Sequence, residues 1–366
     1  MKSLLKSAMI AEVFLGVFLI SPFSWSFPEM VKKDYPNCTA CHHSPSGGGV
    51  LTAYGRELSR ELLSRWNSGE SESQFAYLYT PPESISLGGD LRFLQTYKDT
   101  QFRRTAQYFI MQADLEAAVT LGQFSGVGTL GIRKGGGALG RRHYLVYRPM
   151  DPVSIRLGRF MPTFGINTAD HVIVTKRGLG FDQETETYNF ETAWVGENLN
   201  AYLTAVGGRP DDSSLDREKG AALQLSLLIS EKHKLGLSYF YGSKTSSNRH
   251  LGGPFGIFGL SPSLVFLAEW DFQSKNTGLT SGTPSGFVNY HKLDYELTQG
   301  LHAFLSQEFS QLSSNDASTR SEIYSIGAQF FPRPHFELLA QWQKQKIVAV
   351  SDNFIDIAWL LIHFYP

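Results

Sequence analysis

Two thiols and an imidazole share one short run, Cys38-Thr39-Ala40-Cys41-His42, and this C-x-x-C-H element holds both cysteines of the 366-residue chain. Its spacing is that of a covalently attached c-type haem. Two thiols reach the two vinyl groups of one porphyrin, and the next side chain, His42, supplies its imidazole to the iron as proximal ligand. Two other chemistries use a cysteine pair. A structural zinc site needs four ligands; a second pair is missing, which leaves His43 and a distant histidine as the recruits. A redox disulfide belongs beside a βαβ pattern, which this region lacks. For the opposite face of the iron, Met30 is the one methionine near the motif, and Met or His ligation favours electron transfer over ligand chemistry.

The residues around the motif must hold a flat cofactor if the haem reading is right. Ser44-Pro45-Ser46-Gly47-Gly48-Gly49 carries three consecutive glycines, which let a backbone turn tightly or approach a cofactor closely; the bland alternative is a flexible surface loop. Tyr54, Leu58, Leu62 and Trp66 recur at helical spacing, with Leu51 and Leu63 beside them. That predicts a short helix whose apolar stripe covers a haem face or edge, or simply packs against the rest of the chain. Lys32, Lys33, Arg56 and Arg60 are placed either to meet haem propionates or to face solvent.

Upstream of the motif, Lys2 and Lys6 form a basic start, Val13 to Ile20 an apolar run, and Ser24-Trp25-Ser26 a small-residue cleavage site. Residues 1–26 therefore read as a secretory signal peptide, with Phe27 as the mature start. Glu12 interrupts the apolar stretch and argues against a retained membrane helix. An exported C-x-x-C-H chain fits the bacterial periplasm, where the thiols stay reduced until the cofactor arrives and no other cysteine competes.

The remainder of the chain has a different character. With 33 basic and 34 acidic residues the net charge is −1, which offers no basic groove and excludes a nucleic-acid partner. Beyond residue 84 the recurring pattern is period-two alternation. Ala221, Leu223, Leu225 and Leu227 oppose Gln224 and Ser226, and Phe109, Met111, Ala113 and Leu115 oppose Gln112, Asp114 and Glu116. Strands are predicted near 84–97, 106–121, 124–134, 140–148, 153–160, 185–196, 198–207, 217–229, 232–243, 252–260, 263–273, 286–298, 301–312, 320–332, 334–346 and 353–365.

Alternation alone does not separate a soluble sandwich from a membrane barrel, but connection lengths do. Every even connection is short, while the odd ones are longer, and the one from Met161 to Glu184 is by far the longest. Tight turns at one end and long loops at the other mark an outer-membrane barrel of about sixteen strands. The predicted fold is thus all-β, a transmembrane antiparallel β-barrel with a small N-terminal helical c-type haem segment. The expected division is a signal peptide at 1–26, a monohaem cytochrome c-like segment at 27–70, a linker at 71–83 and the barrel at 84–366. Asp90, Arg92, Asp114, Glu116, Arg156 and Glu337 are expected in the lumen, and Asp356 is taken to mark the lumen face of the last strand. If the haem segment enters that lumen, His143, His171, His302 or His363 joins Met30 as a candidate sixth ligand.

Asn37-Cys38-Thr39-Ala40-Cys41-His42 near the mature N-terminus, followed by this strand series, resembles the bacterial outer-membrane fusions of a monohaem cytochrome c with a porin, best known from iron-oxidising bacteria. The resemblance implies a cytochrome portion in the pore that relays electrons between an extracellular donor or acceptor and a periplasmic electron carrier, with the barrel set in outer-membrane lipid. It also implies one covalent haem c held by Cys38 and Cys41, with His42 as proximal ligand. The expected role is electron carriage without bond making on a substrate, and the segment from Phe27 to Trp66 must then lie inside the barrel. Two other functions compete: a diffusion porin with a structural or gating haem segment, and a haem enzyme or sensor with an open iron site.

Overall fold

Sixteen antiparallel strands close on themselves, each paired with its sequence neighbours and the first with the last. The structure, a computed structural model, describes residues 28–67, 74–100, 103–132, 137–170, 172–212, 214–276 and 285–366. The expected signal peptide, the cleavage site before Phe27, and His171 lie outside the described residues. In chain order the strands are β1 Ile85–Asp99, β2 Arg104–Leu121, β3 Phe124–Ile132, β4 Ala138–Met150, β5 Val153–Phe160, β6 Thr187–Val195, β7 Leu199–Val206 and β8 Lys219–Ser230. They continue as β9 His233–Lys244, β10 Ser247–Ser261, β11 Leu264–Asn276, β12 Ser285–Thr298, β13 Leu301–Gln311, β14 Arg320–Phe330, β15 Phe336–Ile347 and β16 Ser351–Phe364.

On most strands the alternation places polar side chains inside and apolar ones outside, the reverse of a soluble protein, whereas β10 and β11 turn Leu251, Phe255, Ile257, Val265 and Leu267 inward against the segments that fill the lumen. On β8, Gln224 and Ser226 are 6% and 4% exposed, whereas Leu223, Leu225 and Leu227 are 39%, 41% and 54% exposed. Leucines left this open on strand after strand need lipid around them, which places the barrel in an outer membrane. At the short-turn end, the periplasmic one in such barrels, Phe124, Trp194 and Tyr295 are exposed on the outer surface as an interfacial aromatic girdle. The register runs from Leu91 opposite Phe364 to Asp99 opposite Asp356, so the sheet has no free edge.

Three expectations need correction. The tenth strand begins at Ser247, not 252, which leaves only Thr245-Ser246 between β9 and β10. Strict short and long alternation therefore fails there, because Arg249 is a lumen-facing strand residue bonded to Glu218, not a loop residue. Asp356 sits on the outward face of β16 and pairs with outward Lys344 at 3.3 Å, close to the external rim, where charge meets headgroups and water. The predicted helix is shorter than its apolar stripe: α1 covers Ala53–Leu58 and a single π turn follows over Ser59–Leu63.

Two segments fill the lumen. The long connection between β5 and β6 turns inward and crosses to the far wall. Its backbone amides at Ile166 and Val174 donate to Glu269 on β11 and Glu308 on β13 at 3.0 and 2.8 Å, and Gln224 on β8 donates to the Gly165 carbonyl at 2.6 Å. Far-wall side chains thus satisfy a buried irregular backbone. The N-terminal segment closes the periplasmic mouth. Lys292 on β12 meets Glu29 at 2.9 Å, Arg156 on β5 donates to Ser44 at 2.8 Å, and Gln299 in the β12–β13 turn donates to the Ser64 carbonyl at 2.9 Å. The segment from Pro28 reaches into the lumen, while its end at Trp66 stands against Phe330 at the rim.

Candidate functional site

The stretch from Cys41 to Thr52 folds back on itself as a narrow loop. The Thr52 amide donates to the Cys41 carbonyl at 2.9 Å and the His43 amide to the Val50 carbonyl at 3.2 Å. Gly47, Gly48 and Gly49 form its tip, all at positive φ. The reason for glycine is steric at Gly47, where a Cβ would stand 2.9 Å from the Cys38 sulfur. Helix α1 then packs Gly55 onto the motif, and a Cβ there would stand 2.4 Å from the Cys41 carbonyl oxygen. Thr52 caps the helix, its hydroxyl accepting from the Gly55 amide at 3.1 Å.

Cys38, Cys41 and His42 line one cavity of about 400 Å³, enclosed by the N-terminal segment, the inward loop and the barrel wall. That volume falls within the range of about 300–1,000 Å³ usual for cofactor sites. Its apolar surface includes Val50, Phe160, Phe164 and Ile166, and the three glycines of the loop tip face it. Neither cysteine is engaged in a disulfide. Burial, with Cys38 adding to it, pushes the Cys41 thiol up to about 12. His42 Nδ1 lies 3.4 Å from the Gly49 carbonyl, which only accepts, so the proton sits on Nδ1 and the Nε2 lone pair is left free. Burial lowers this imidazole to about 4, against the opposing pull of the Gly49 bond, so His42 is neutral and fit to ligate a metal. Thiol spacing, free Nε2, glycine tip and cavity all fit a haem. Among the described residues no group of three or more His, Cys, Asp or Glu side chains is set to hold a metal ion, and a four-ligand zinc shell is not assembled around the pair.

Of the candidate sixth ligands, Met30 is 4% exposed and lines this cavity, as does His363. His363 is engaged by Glu337 at 2.7 Å and Asp90 at 3.1 Å. His302 is held by Asp294 at 2.9 Å away from the cavity, and His143 faces outward, bonded to the Tyr188 hydroxyl. His43 is turned to Ser86 on β1, 2.9 Å away. Met161, at the start of the inward loop, lines the same cavity and was not apparent from sequence, because its nearness to the motif depends on that loop folding inward.

The four cations near the motif, read as facing either haem propionates or solvent, are committed elsewhere. Lys32 is buried against Asp294 at 3.2 Å, Lys33 meets Glu296 at 3.0 Å, Arg60 meets Glu57 and Glu61 at 2.8 Å, and Arg56 donates to the Pro366 carbonyl. The cavity instead draws Arg92, Arg142, Arg156, Lys176 and Lys234 from the wall and loop. Lys234 donates to the Pro36 carbonyl at 2.9 Å and makes no ion pair with a described residue. Asp90, Arg92, Asp114, Glu116, Arg156 and Glu337 do point into the lumen, where they pair locally: Arg92 with Asp90, Arg141 with Asp114, Arg142 with Glu116 and Arg156 with Glu191. Of the apolar stripe, Leu58 reaches the cavity, whereas Trp66 packs edge-on against Phe330 at the barrel rim.

No protein-family model and no curated protein matches the sequence. The fold is similar to solved outer-membrane structures. In-vitro folded OmpT of Vibrio cholerae aligns with a TM-score of 0.62 at 9% identity, over 77% of this chain and 99% of that one. The anion-selective porin from Comamonas acidovorans gives 0.59 at 9%, over 77% and 99%. The outer membrane channel DcaP of Acinetobacter baumannii gives 0.56 at 12%, over 79% and 99%. At such identities the likeness is one of fold: a sixteen-stranded outer-membrane barrel of porin architecture.

Proposed function

We propose that this barrel carries one covalent haem c in its lumen and passes single electrons between a periplasmic carrier and an external donor or acceptor. The observation that carries the reading is the convergence of Cys38, Cys41 and His42 on one lumenal cavity. When bound, the haem supplies an iron that alternates between ferric and ferrous states, with no bond made on a substrate. Cys38 and Cys41 would anchor it by thioethers, His42 would offer Nε2, and the Gly49 carbonyl orients that ring. Met30, which lines the same cavity, would be the second side chain offered to the iron. Lys234, which makes no ion pair with a described residue, is the cavity cation that would meet the haem carboxylates. Val31 and Val50, each 1% exposed, help keep water from the segment's interior. The test is a haem stain and optical spectrum of purified outer membranes. Native protein should retain haem through denaturing electrophoresis and the double variant Cys38→Ala with Cys41→Ala should lose it; a native band without covalent haem overturns the proposal.

A second reading is a diffusion porin in which residues 28–66 plug or gate the channel. The porin architecture of the similar solved structures favours it, and those comparisons are silent about haem. Reconstitution separates the two. A conduit reduces or oxidises a vesicle-enclosed acceptor or donor, whereas a porin lets small solutes equilibrate.

A further inference from the structure

The inward loop has a second side. Facing the external medium, a cavity of about 280 Å³ opens between the loop and the ends of β7 to β11. Arg177, Arg217, Lys244, Arg249 and Lys275 line it, against two carboxylates among the described residues, Asp216 and Glu218. Glu218 is already consumed: both its oxygens meet Arg249, at 2.7 and 2.8 Å. Asp216 accepts from the Thr245 amide and hydroxyl at 3.4 and 3.3 Å and is exposed. Lys244 and Lys275, on the lumen faces of β9 and β11, make no ion pair with any described residue. Arg217 donates from Nη2 to the Glu184 carbonyl at 3.2 Å, while its Nε is buried without a partner.

We infer that this vestibule binds a small multivalent carboxylate anion. Three cations without a carboxylate converge on one concave site, whose low-dielectric walls concentrate their field. The guanidinium of Arg217 matches a carboxylate in shape, and charge-assisted bonds of this kind are the strong ones. The volume of about 280 Å³ admits a di- or tricarboxylate. Phe181 and Phe240 supply an apolar floor, their rings 5.3 Å apart and edge to face. Met161, Pro162 and Phe181 line both this vestibule and the cavity of the cysteine motif, so a bound anion lies against the other side of one shared wall.

The site requires no haem, and its test is independent of the electron-transfer reading. Full-length protein in detergent micelles is titrated with citrate by calorimetry at low ionic strength, with erythritol as the uncharged control. Citrate should bind at one site per chain, more weakly as salt rises, and erythritol should not. Lys244→Gln with Lys275→Gln should lower the affinity at least about tenfold, as should Arg217→Gln alone. Heat-modifiable gel mobility confirms that each variant is a folded barrel. Undetectable citrate binding, or equal affinity in native protein and both folded charge variants, overturns the assignment.

Discussion

His42 and Gly49 are joined across the loop that follows the cysteine pair, imidazole Nδ1 to backbone carbonyl, at 3.4 Å. A backbone acceptor cannot be mutated away, and it holds the ring in one tautomer with Nε2 free. The bond rests on Gly47, Gly48 and Gly49 keeping positive φ, a conformation that costs a substituted residue strain.

The first prediction concerns the two thiols and that ring. Cys38→Ala and Cys41→Ala should each weaken haem retention on a denaturing gel, the double variant abolishing it. His42→Ala should leave the thiols able to retain haem but shift the optical spectrum away from the native form. An unchanged spectrum in His42→Ala would remove His42 from the iron.

A second prediction uses the closest packing in the segment. Gly55→Val puts a Cβ where the Cys41 carbonyl and Cα already stand, at 2.4 and 2.8 Å. Backbone must move, a cost of about 1–3 kcal/mol. The barrel strands are untouched, so heat-modifiable gel mobility should persist while residues 28–66 become sensitive to added protease. Equal protection in Gly55→Val and native protein would show that α1 does not pack on the motif as described.

Much of the barrel was legible because many strands repeat one signal, polar in and apolar out, which β8 shows from Leu223 to Leu227 and β15 from Ala340 to Gln343. Where the signal mixed with polar residues it misled. Asn248-Arg249-His250 has the composition of a loop, yet Arg249 points inward to Glu218, a partner visible only once β8 and β10 share a lumen. Asp356 was assigned by charge alone, and charge is also at home on the outer surface near the rim, where Lys344 meets it. The motif needed no tertiary information, since spacing alone defines it. Its surroundings did: Lys32 finds Asp294 at a separation of 262 residues, and the cavity cations come from strands whose closeness to Cys38 no local pattern encodes.

The third prediction concerns the anchor between plug and wall. Arg156 donates to Ser44 at 2.8 Å, to Ser46 at 3.1 Å and to Glu191 at 2.7 Å, and its guanidinium lies over the Phe160 ring at 3.8 Å. Arg156→Ala would leave the Glu191 carboxylate buried with only Thr163 and Thr204 to bond it. Breaking one side of such a buried pair costs about 3 kcal/mol. Arg156→Ala should therefore lower the urea midpoint in micelles, and Glu191→Gln in the same background should recover part of the loss. No recovery would mean that the arginine acts through the plug serines alone.

The last prediction asks what the plug does to the lumen. Residues 28–66 are held at the periplasmic mouth by contacts from widely separated strands and turns, among them Lys292 to Glu29, Lys234 to the Pro36 carbonyl, Asn37 to the Gly196 carbonyl and Gln299 to the Ser64 carbonyl. None of these closes the sheet, because β1 and β16 pair along their own register. A chain lacking residues 28–66 should fold as a barrel and conduct ions in planar bilayers well above the native level. With the segment gone the inward loop is the remaining constriction, still held by Glu269 and Glu308. Equal conductance with and without the segment would show that the inward loop alone sets the channel, and would leave the segment the single task of holding the site built from Cys38, Cys41 and His42.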